Sequence, residues 1–238
     1  MGFITDKNMT LYITVAHACS YIEDQLAVNL LVDPAYPMRA HLYAHLLDNG
    51  FRRSGGDVYR PHCKLCNACV STRIPVTEFQ ASRSQKRNLK QNQDIEVRYN
   101  RDGFKPEYEP LYRRYVHTRH CGGGMDTDES DAFKNFLVAG WCSTTFIEFW
   151  LKDSLVGVAT TDELSTGLSL VYTFYDPILA NQRGLGTFAI LTQIAYAQQL
   201  GLPYVYPGYW IEQSQKMSYK IRFQPIEGYI NGQWSRIK

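Results

Sequence analysis

The chain has 238 residues, of which 45% are hydrophobic and 20% are charged, a balance typical of a globular protein rather than a disordered one. No apolar run approaches the roughly 20 residues that a membrane-spanning helix needs, and the first residues lack a secretory signal. We therefore expect a cytoplasmic protein with no membrane partner. The formal net charge is only +2, but residues 52–101 hold eleven Lys or Arg and four acids, a local net charge of +7. Such a segment indicates a polyanionic partner, with solvated surface charge as the alternative.

The first half of the chain is predicted to contain helices over residues 22–31 and 37–49. The second of these has Pro37 near its start and Gly50 just past its end. A loop-rich, cysteine-bearing segment is expected next, over residues 51–72, and an amphipathic helix over 106–119. A Gly- and Asp-rich loop over 120–131 should then lead into a further helix over 130–139.

A cationic stripe is predicted between these features. Ser82 is placed to cap a helix whose basic residues recur at i, i+3, i+4 and i+7, and therefore share one face. The four residues of this cationic stripe are Arg83, Lys86, Arg87 and Lys90. No carboxylate lies within residues 82–92, so like charges repel along the face unless phosphates lie against it. We interpret the stripe as a nucleic-acid-binding surface.

Three cysteines follow one another at Cys-x-x-Cys spacing: Cys63, Cys66 and Cys69. Two intervening residues allow both sulfurs to reach one metal ion from a tight turn, and nearby Arg60 and Lys64 are expected to favour the thiolate form. A tetrahedral zinc site or an iron–sulfur cluster needs a fourth ligand. Cys19 is the first candidate, ahead of His62 and His17. The alternative is a set of reduced thiols packed under a loop.

The second half of the chain has a different pattern of predicted elements. Three strands are predicted over residues 145–151, 154–162 and 168–175, joined by short turns. A helix is expected after them, opened by Gly184-Leu185-Gly186 and ended by Gly201. It should be followed by a short strand over residues 203–207, a helix over 212–222 and a hairpin over 228–234 around Asn231-Gly232.

This order resembles the acyltransferase fold of the GNAT proteins, in which a glycine turn presents backbone N–H groups to the pyrophosphate of acetyl-CoA. We therefore expect an α+β fold with two parts. Residues 1–105 form an N-terminal cysteine-containing and basic region, and residues 106–238 form a GNAT-like acyl-transfer domain.

The motifs together resemble a specific family. The N-terminal blocks include His-Ala-Cys-Ser-Tyr at 17–21 and Pro-His-Cys-Lys-x-Cys-x-x-Cys at 61–69, followed by Ser-Arg-Ser-Gln-Lys-Arg at 82–87. The C-terminal blocks lie at residues 172–177, 184–187, 206–211 and 216–220. In this order they are similar to the bacterial aspartate/glutamate leucyltransferase family, relatives of the eukaryotic arginyl-tRNA–protein transferases.

The resemblance implies an aminoacyltransferase. Such an enzyme moves leucine from leucyl-tRNA, its co-substrate, to the N-terminal amine of proteins that begin with Asp or Glu, which marks those proteins for degradation by the N-end rule. The cationic stripe would then hold the tRNA backbone, and Gly184 and Gly186 would lie at its aminoacyl end.

Candidate catalytic residues lie at the end of the third predicted strand. Tyr172 or Tyr175 would donate a hydrogen bond to the oxyanion or to the terminal ribose, with core packing as the alternative. Asp176 would orient the amine or take its proton, with a turn role before Pro177 as the alternative.

An acidic acceptor also needs a cationic pocket. The available cations are Arg73, Lys216, Lys220 and Arg222, and we favour Arg73 and Lys216 because Arg suits bidentate binding of a carboxylate. Tyr219, which lies inside the block at 216–220, completes the expected substrate-binding set. Two other functions stay open: an acetyl-CoA-dependent GNAT acetyltransferase with a metal-binding extension, and a non-catalytic RNA-binding module.

Overall fold

A computed structural model describes residues 9–119 and 130–238. The helices of this part are α1 (Ala40–Asp48), α2 (Arg83–Gln91), α3 (Tyr108–Arg119), α4 (Ser130–Leu137), α5 (Pro177–Arg183), α6 (Leu185–Gln199) and α7 (Gln215–Ser218), with a 3-10 helix over Tyr219–Arg222. None of these helices is both long and apolar enough to cross a membrane.

The strands of the same residues are β1 (Leu11–Ile13), β2 (His17–Ala18), β3 (Leu26–Ala27), β4 (Asn29–Val32), β5 (Arg52–Ser54), β6 (Asp57–Pro61), β7 (Val70–Pro75), β8 (Ile95–Asn100), β9 (Thr144–Leu151), β10 (Ser154–Leu164), β11 (Gly167–Tyr175), β12 (Tyr204–Trp210), β13 (Ile226–Ile230) and β14 (Gln233–Ile237).

Eight of these strands form one sheet, in the order β14-β13-β7-β12-β11-β10-β9-β8. The sheet takes β7 and β8 from before residue 105, so the predicted boundary there does not separate two sheets. β12 runs parallel to β11, and only Leu168 with Val205 and Ser169 with Tyr206 form ladder pairs between them. The two strands are therefore joined at one end alone.

Both faces of this sheet are covered. Val158 and Ala159 are adjacent on β10 and point to opposite faces, as strand geometry requires. Val158 packs in a cluster with residues of α3 and α4, whereas Ala159 packs in a cluster with α6. A third cluster joins α1 to the smaller sheet β1-β4-β6-β5. The result is a mixed α and β architecture, as expected.

Most predicted elements of the second half are confirmed. The three strands, the helix after the glycine turn and the final hairpin all form, and the hairpin turn has positive φ at both Asn231 and Gly232. The helix expected over 212–222 is instead divided into α7 and the 3-10 helix. Helix α5 was not predicted; Asp176 caps it and Pro177 occupies its first turn.

In the first half, α1 and α3 lie where expected, but the helix over 22–31 is wrong. Asp24 has a φ of 58°, which an α-helix cannot contain, and β4 pairs with both β1 and β6. The tertiary pairing thus overrides an apolar pattern that also suits a helix. Of the predicted loop at 120–131, residues 120–129 lie outside the described residues.

A buried ion pair fastens β5 to the large sheet. Arg53 Nε lies 2.5 Å from Asp162 Oδ2 and Nη2 lies 2.6 Å from Oδ1, with both side chains fully buried. Thr144 Oγ1 also donates to Asp162 Oδ1, and Arg53 Nη2 donates to Leu137 O. The pair therefore ties β5, β9, β10 and the end of α4 together.

Replacing Arg53 by Gln should leave the Asp162 carboxylate buried without its countercharge. We expect a loss of about 3–5 kcal/mol in the free energy of unfolding, measured by urea denaturation. Arg98→Gln breaks an exposed pair with Glu96 and serves as the control, with little change expected. Equal stability of the two variants would contradict the structural role of the buried pair.

Candidate functional site

Helix α2 presents two chemically different faces. Its inner face consists of side-chain amides, because Gln85, Asn88 and Asn92 follow a helical spacing and all bond to neighbouring segments. Ser82 caps the helix in a reciprocal capping box with Gln85. The four residues of the cationic stripe lie on the outer side, are exposed, and have no ion pair among the described residues.

The inner face is attached to the turn between α5 and α6. Asn88 Nδ2 donates to the carbonyls of Arg183 (2.8 Å) and Gly184 (3.3 Å), and Asn92 Nδ2 donates to Arg183 O at 2.9 Å. Gln91 Nε2 donates to Gln182 O at 2.7 Å. These bonds satisfy carbonyls at the end of α5 and fix the cationic helix beside the start of α6.

Gly184 allows this close approach. Its φ of 63° lies in the left-handed region, and a β-carbon there would lie 2.7 Å from Asn88 Nδ2. Helix α6 begins at the next residue, so its first free N–H groups and the positive end of its dipole lie next to α2.

A pocket of about 270 Å³ lies between α2, the start of α6 and the 3-10 helix. Its walls include Arg87, Arg183, Arg222 and Tyr219, and none of its described lining residues is acidic. Arg183 is paired with Asp94 through two bonds of 2.7 and 2.9 Å, whereas Arg87 and Arg222 have no carboxylate partner among the described residues. The pocket is thus suited to an anionic group.

Tyrosines gather behind the first turn of α6. A β-carbon at Gly186 would lie 3.2 Å from the Tyr175 hydroxyl, so glycine lets that phenol reach the helix. The ring centroids of Tyr115 and Tyr175 lie 4.9 Å apart in an edge-to-face arrangement. Tyr172 contacts Tyr115 with ring centroids 6.2 Å apart. The charge of Tyr175 is one of the causes that raise the pKa of Tyr219, after burial.

Sequence comparisons with known proteins assign the chain to a family. Two family models match the chain: the N terminus of arginine-tRNA-protein transferase over residues 17–87, and its C terminus over 107–230. The chain is 49% identical over 226 residues to the aspartate/glutamate leucyltransferase of Pseudomonas fluorescens, covering 95% of this chain and 96% of that protein.

The chain belongs to the arginine-tRNA-protein transferase family. The aspartate/glutamate leucyltransferase of Pseudomonas aeruginosa is another relative, 47% identical with the same coverage. Among solved structures, L-PGS from Bacillus licheniformis covers 71% of the chain and 49% of its own length at 9% identity, with a TM-score of 0.47 that is too low to define the fold. Neither the acetyl-CoA-dependent alternative nor the non-catalytic RNA-binding alternative gains support from these matches.

The structure brings several predicted residues of this transferase together. Arg87 and Gly184 line one pocket with Tyr219, and Gly186 adjoins Tyr175. Burial raises the pKa of Tyr219 to about 12, with the charge of Tyr175 as a second cause. Lys216 is exposed on α7, and no described residue pairs with it.

The two other predicted catalytic residues have distinct surroundings. The Tyr172 hydroxyl is buried and has no hydrogen-bond partner among the described residues. Burial raises its pKa far above the usual value for tyrosine, followed by the charge of Tyr115, so the phenol stays protonated and can donate. Asp176 Oδ1 accepts from the N–H groups of Ile178 and Leu179, both at 3.0 Å, so one carboxylate oxygen is used in capping α5.

Arg73 is already paired. Its Nε donates to Glu227 at 2.7 Å and its Nη1 to Asp48 at 2.9 Å, and the guanidinium lies over the rings of Tyr204 and Trp234. These partners satisfy the charge of Arg73 from within the fold, which disfavours its expected role in binding an acceptor carboxylate.

Lys220 differs in both burial and pairing. It is 4% exposed, and its Nζ donates to Tyr209 O at 2.7 Å. Its pKa is lowered to about 7, chiefly by burial and then by the charge of Arg52. Sequence reasoning did not single out Arg52, because nothing near it in the chain indicates what its side chain would meet.

The four predicted cysteine ligands are free, partly buried thiols. Burial raises the pKa of Cys69 to about 12, and the charges of Cys19, Cys63 and Cys66 raise it as well. The expectation that Arg60 and Lys64 favour the thiolate is thus wrong for Cys69. Within residues 9–119 and 130–238, no three His, Cys, Asp or Glu side chains converge as metal ligands. His62 and His17 are exposed.

Proposed function

We propose that this chain transfers leucine from leucyl-tRNA to the N-terminal amine of proteins that begin with Asp or Glu, and so marks them for N-end-rule degradation. The two relatives are named for leucine transfer to aspartate and glutamate, and the match spans 95% of the chain. The observation that carries the proposal within the structure is the acid-free pocket between the cationic helix and the start of α6.

The pocket supports a binding site for the aminoacyl end of a tRNA. Phosphates would lie against Arg87, Arg222 and the N–H groups of α6, while the cationic stripe follows the backbone without reading sequence. The order of β9, β10, β11, α6 and β12 supports a GNAT-like arrangement for residues 106–238, with the tRNA end in place of acetyl-CoA.

The reaction is aminolysis of an ester. The neutral α-amine attacks the carbonyl carbon of the leucyl ester, an amide bond forms, and the ester C–O bond breaks. One proton passes from the amine nitrogen to the ribose oxygen that leaves. Because an α-amine has a pKa of about 7.7–8.0, a useful fraction is already neutral, so alignment of the reactants contributes more than a strong base.

Two of the described residues have free groups suited to this chemistry. The protonated Tyr172 hydroxyl can donate to the oxyanion or to the terminal ribose, and Tyr175 lies two residues further along the same strand. Asp176 keeps Oδ2 without a hydrogen bond among the described residues, so it stays our candidate for orienting the amine.

A metal held by the four predicted cysteine ligands also belongs to this proposal. Four thiols are a donor set suited to zinc or to an iron–sulfur cluster, and a cation among them would favour the thiolate of Cys69, whose pKa is raised by burial and then by the charges of the other three cysteines. Cys19, Cys63, Cys66 and Cys69 would hold the group. It would hold the loop after β6 against the N-terminal strands and shape the donor or acceptor site without performing the ester chemistry.

The transfer itself is tested with purified protein, leucyl-tRNA labelled in the leucine, and peptides that begin with Asp. We expect labelled peptide to form, because the site aligns amine and ester. Acetyl-CoA in place of leucyl-tRNA should give no modified peptide. Acetylation without leucyl transfer would overturn the proposed function in favour of the acetyltransferase.

Replacing the four residues of the cationic stripe by Gln should weaken tRNA binding and its salt dependence. Four lost phosphate contacts should reduce the logarithmic salt slope by about 3 units, measured by filter binding from 50 to 200 mM salt. The control replaces four exposed cations elsewhere: Arg39, Arg98, Lys134 and Lys152. An equal effect of the two sets would show that net charge alone matters, against a defined surface.

The metal is tested by replacing Cys66 with Ser. We expect anaerobically purified wild-type protein to contain metal and the variant to lose it, together with thermal stability, since ligand binding is linked to folding. Elemental analysis and visible absorbance distinguish zinc from an iron–sulfur cluster. Cys142→Ser is the control and should retain the metal. Metal-free wild-type protein of full stability would favour packed thiols instead.

A further inference from the structure

Two buried cations donate hydrogen bonds to carbonyls of β12 near the point where β11 and β12 separate. Arg52, on β5, is 6% exposed and reaches the large sheet from the smaller one. Its Nη2 donates to Leu170 O on β11 at 2.9 Å and to Tyr206 O on β12 at 3.0 Å. The guanidinium thus lies across the gap, directly beyond the ladder pairs that join the two strands.

The second cation is Lys220, from the 3-10 helix that follows α7. Its ammonium donates to Tyr209 O, three residues beyond Tyr206 along β12. A β-carbon at Gly208, the residue before Tyr209, would lie 3.6 Å from Arg52 Nη2. Two positive charges from two different segments therefore lie against neighbouring residues of β12.

Neither cation has a carboxylate partner among the described residues. Within the described part of the chain, Arg52 Nη1 is buried and has no hydrogen-bond partner, and the hydrogen bonds of Lys220 go to a carbonyl and to the thioether of Met217. Arg53, the next residue along β5 and equally buried, is paired with Asp162. Burying an unpaired charge is costly, so the site of Arg52 and Lys220 lacks the anion that Asp162 provides for Arg53.

The bond to Met217 indicates where a ligand would enter. Lys220 Nζ lies 2.9 Å from Met217 Sδ, and a thioether is a weak acceptor for an ammonium group. Met217 is half-buried on α7, a helix of four residues, and the adjacent Tyr219 lines the pocket at the start of α6. A carboxylate in place of this sulfur would give Lys220 a charged acceptor next to a residue that lines the pocket.

We infer that Arg52 and Lys220 together bind the side-chain carboxylate of the acceptor's N-terminal Asp or Glu, an assignment that rests on the proposed function. Arg52 Nη1 supplies the free donor and Lys220 the ammonium, with the carboxylate in place of Met217 Sδ. Tyr172 follows two residues after Leu170 on β11, so the amine of the same acceptor residue would lie toward the proposed catalytic tyrosines.

This site would explain a preference for acids over amides. An Asn or Gln side chain has the shape of Asp or Glu but leaves two buried cations without countercharge. Discrimination of about 100-fold in kcat/KM is expected from such a site. Arg73, whose charge is already balanced by two carboxylates, would contribute little to it.

The test measures kcat/KM at saturating leucyl-tRNA for peptides that begin with Asp and with Asn. For Arg52→Gln we expect the acid preference to fall to about threefold or less, through a raised KM for the Asp peptide and with affinity for leucyl-tRNA unchanged. Lys220→Gln should lower the acid preference in the same way. Because this change removes a buried ammonium, the variant should fold even if the Arg52 variant does not. Lys220→Arg should restore most of the preference.

The control is Arg53→Lys, which should lower stability and keep the wild-type preference, because its partner Asp162 belongs to the fold. A folded Arg52→Gln or Lys220→Gln variant with the wild-type ratio of Asp to Asn would overturn the assignment alone. Wild-type protein that transfers no leucine to either peptide would instead overturn the proposed function, and the assignment with it.

Discussion

The attachment of α2 to the turn between α5 and α6 determines the arrangement of the whole candidate site. Asn88 and Asn92 donate to carbonyls at the end of α5, and Gly184 permits the approach because it has no β-carbon. Without these bonds, the four cations of α2 would be repelled by the positive end of the α6 dipole. The side-chain amides overcome that repulsion locally, and an anionic ligand would remove it.

This constraint links the two halves of the chain. The cationic helix lies between β7 and β8 in sequence, and both of those strands belong to the same sheet as β11 and β12. The catalytic candidates at the end of β11, the pocket at the start of α6 and the cationic stripe therefore share one rigid support. Transfer between two large substrates requires such support, since a small misalignment of amine and ester lowers the rate strongly.

Sequence reasoning succeeded where the signal is local. The capping residue Ser82, the periodicity of the cationic stripe, the glycine turn and the Asn-Gly hairpin each depend on a few neighbouring residues, and all formed as expected. It failed over residues 22–31, where pairing with β1 and β6 decides the structure. It favoured Arg73 and did not consider Arg52, because the partners of each cation include residues more than 100 positions away, such as Glu227 and Tyr206.

The most direct measurement is the structure of this protein with an RNA hairpin that ends in CCA and carries leucine through a stable amide. We expect the terminal phosphates to lie against Arg87, Arg222 and the first turn of α6, with the leucyl carbonyl near Tyr172. The duplex backbone should follow the cationic stripe. An RNA end bound on another face, with the pocket between α2 and α6 empty, would show that this pocket is not the tRNA site.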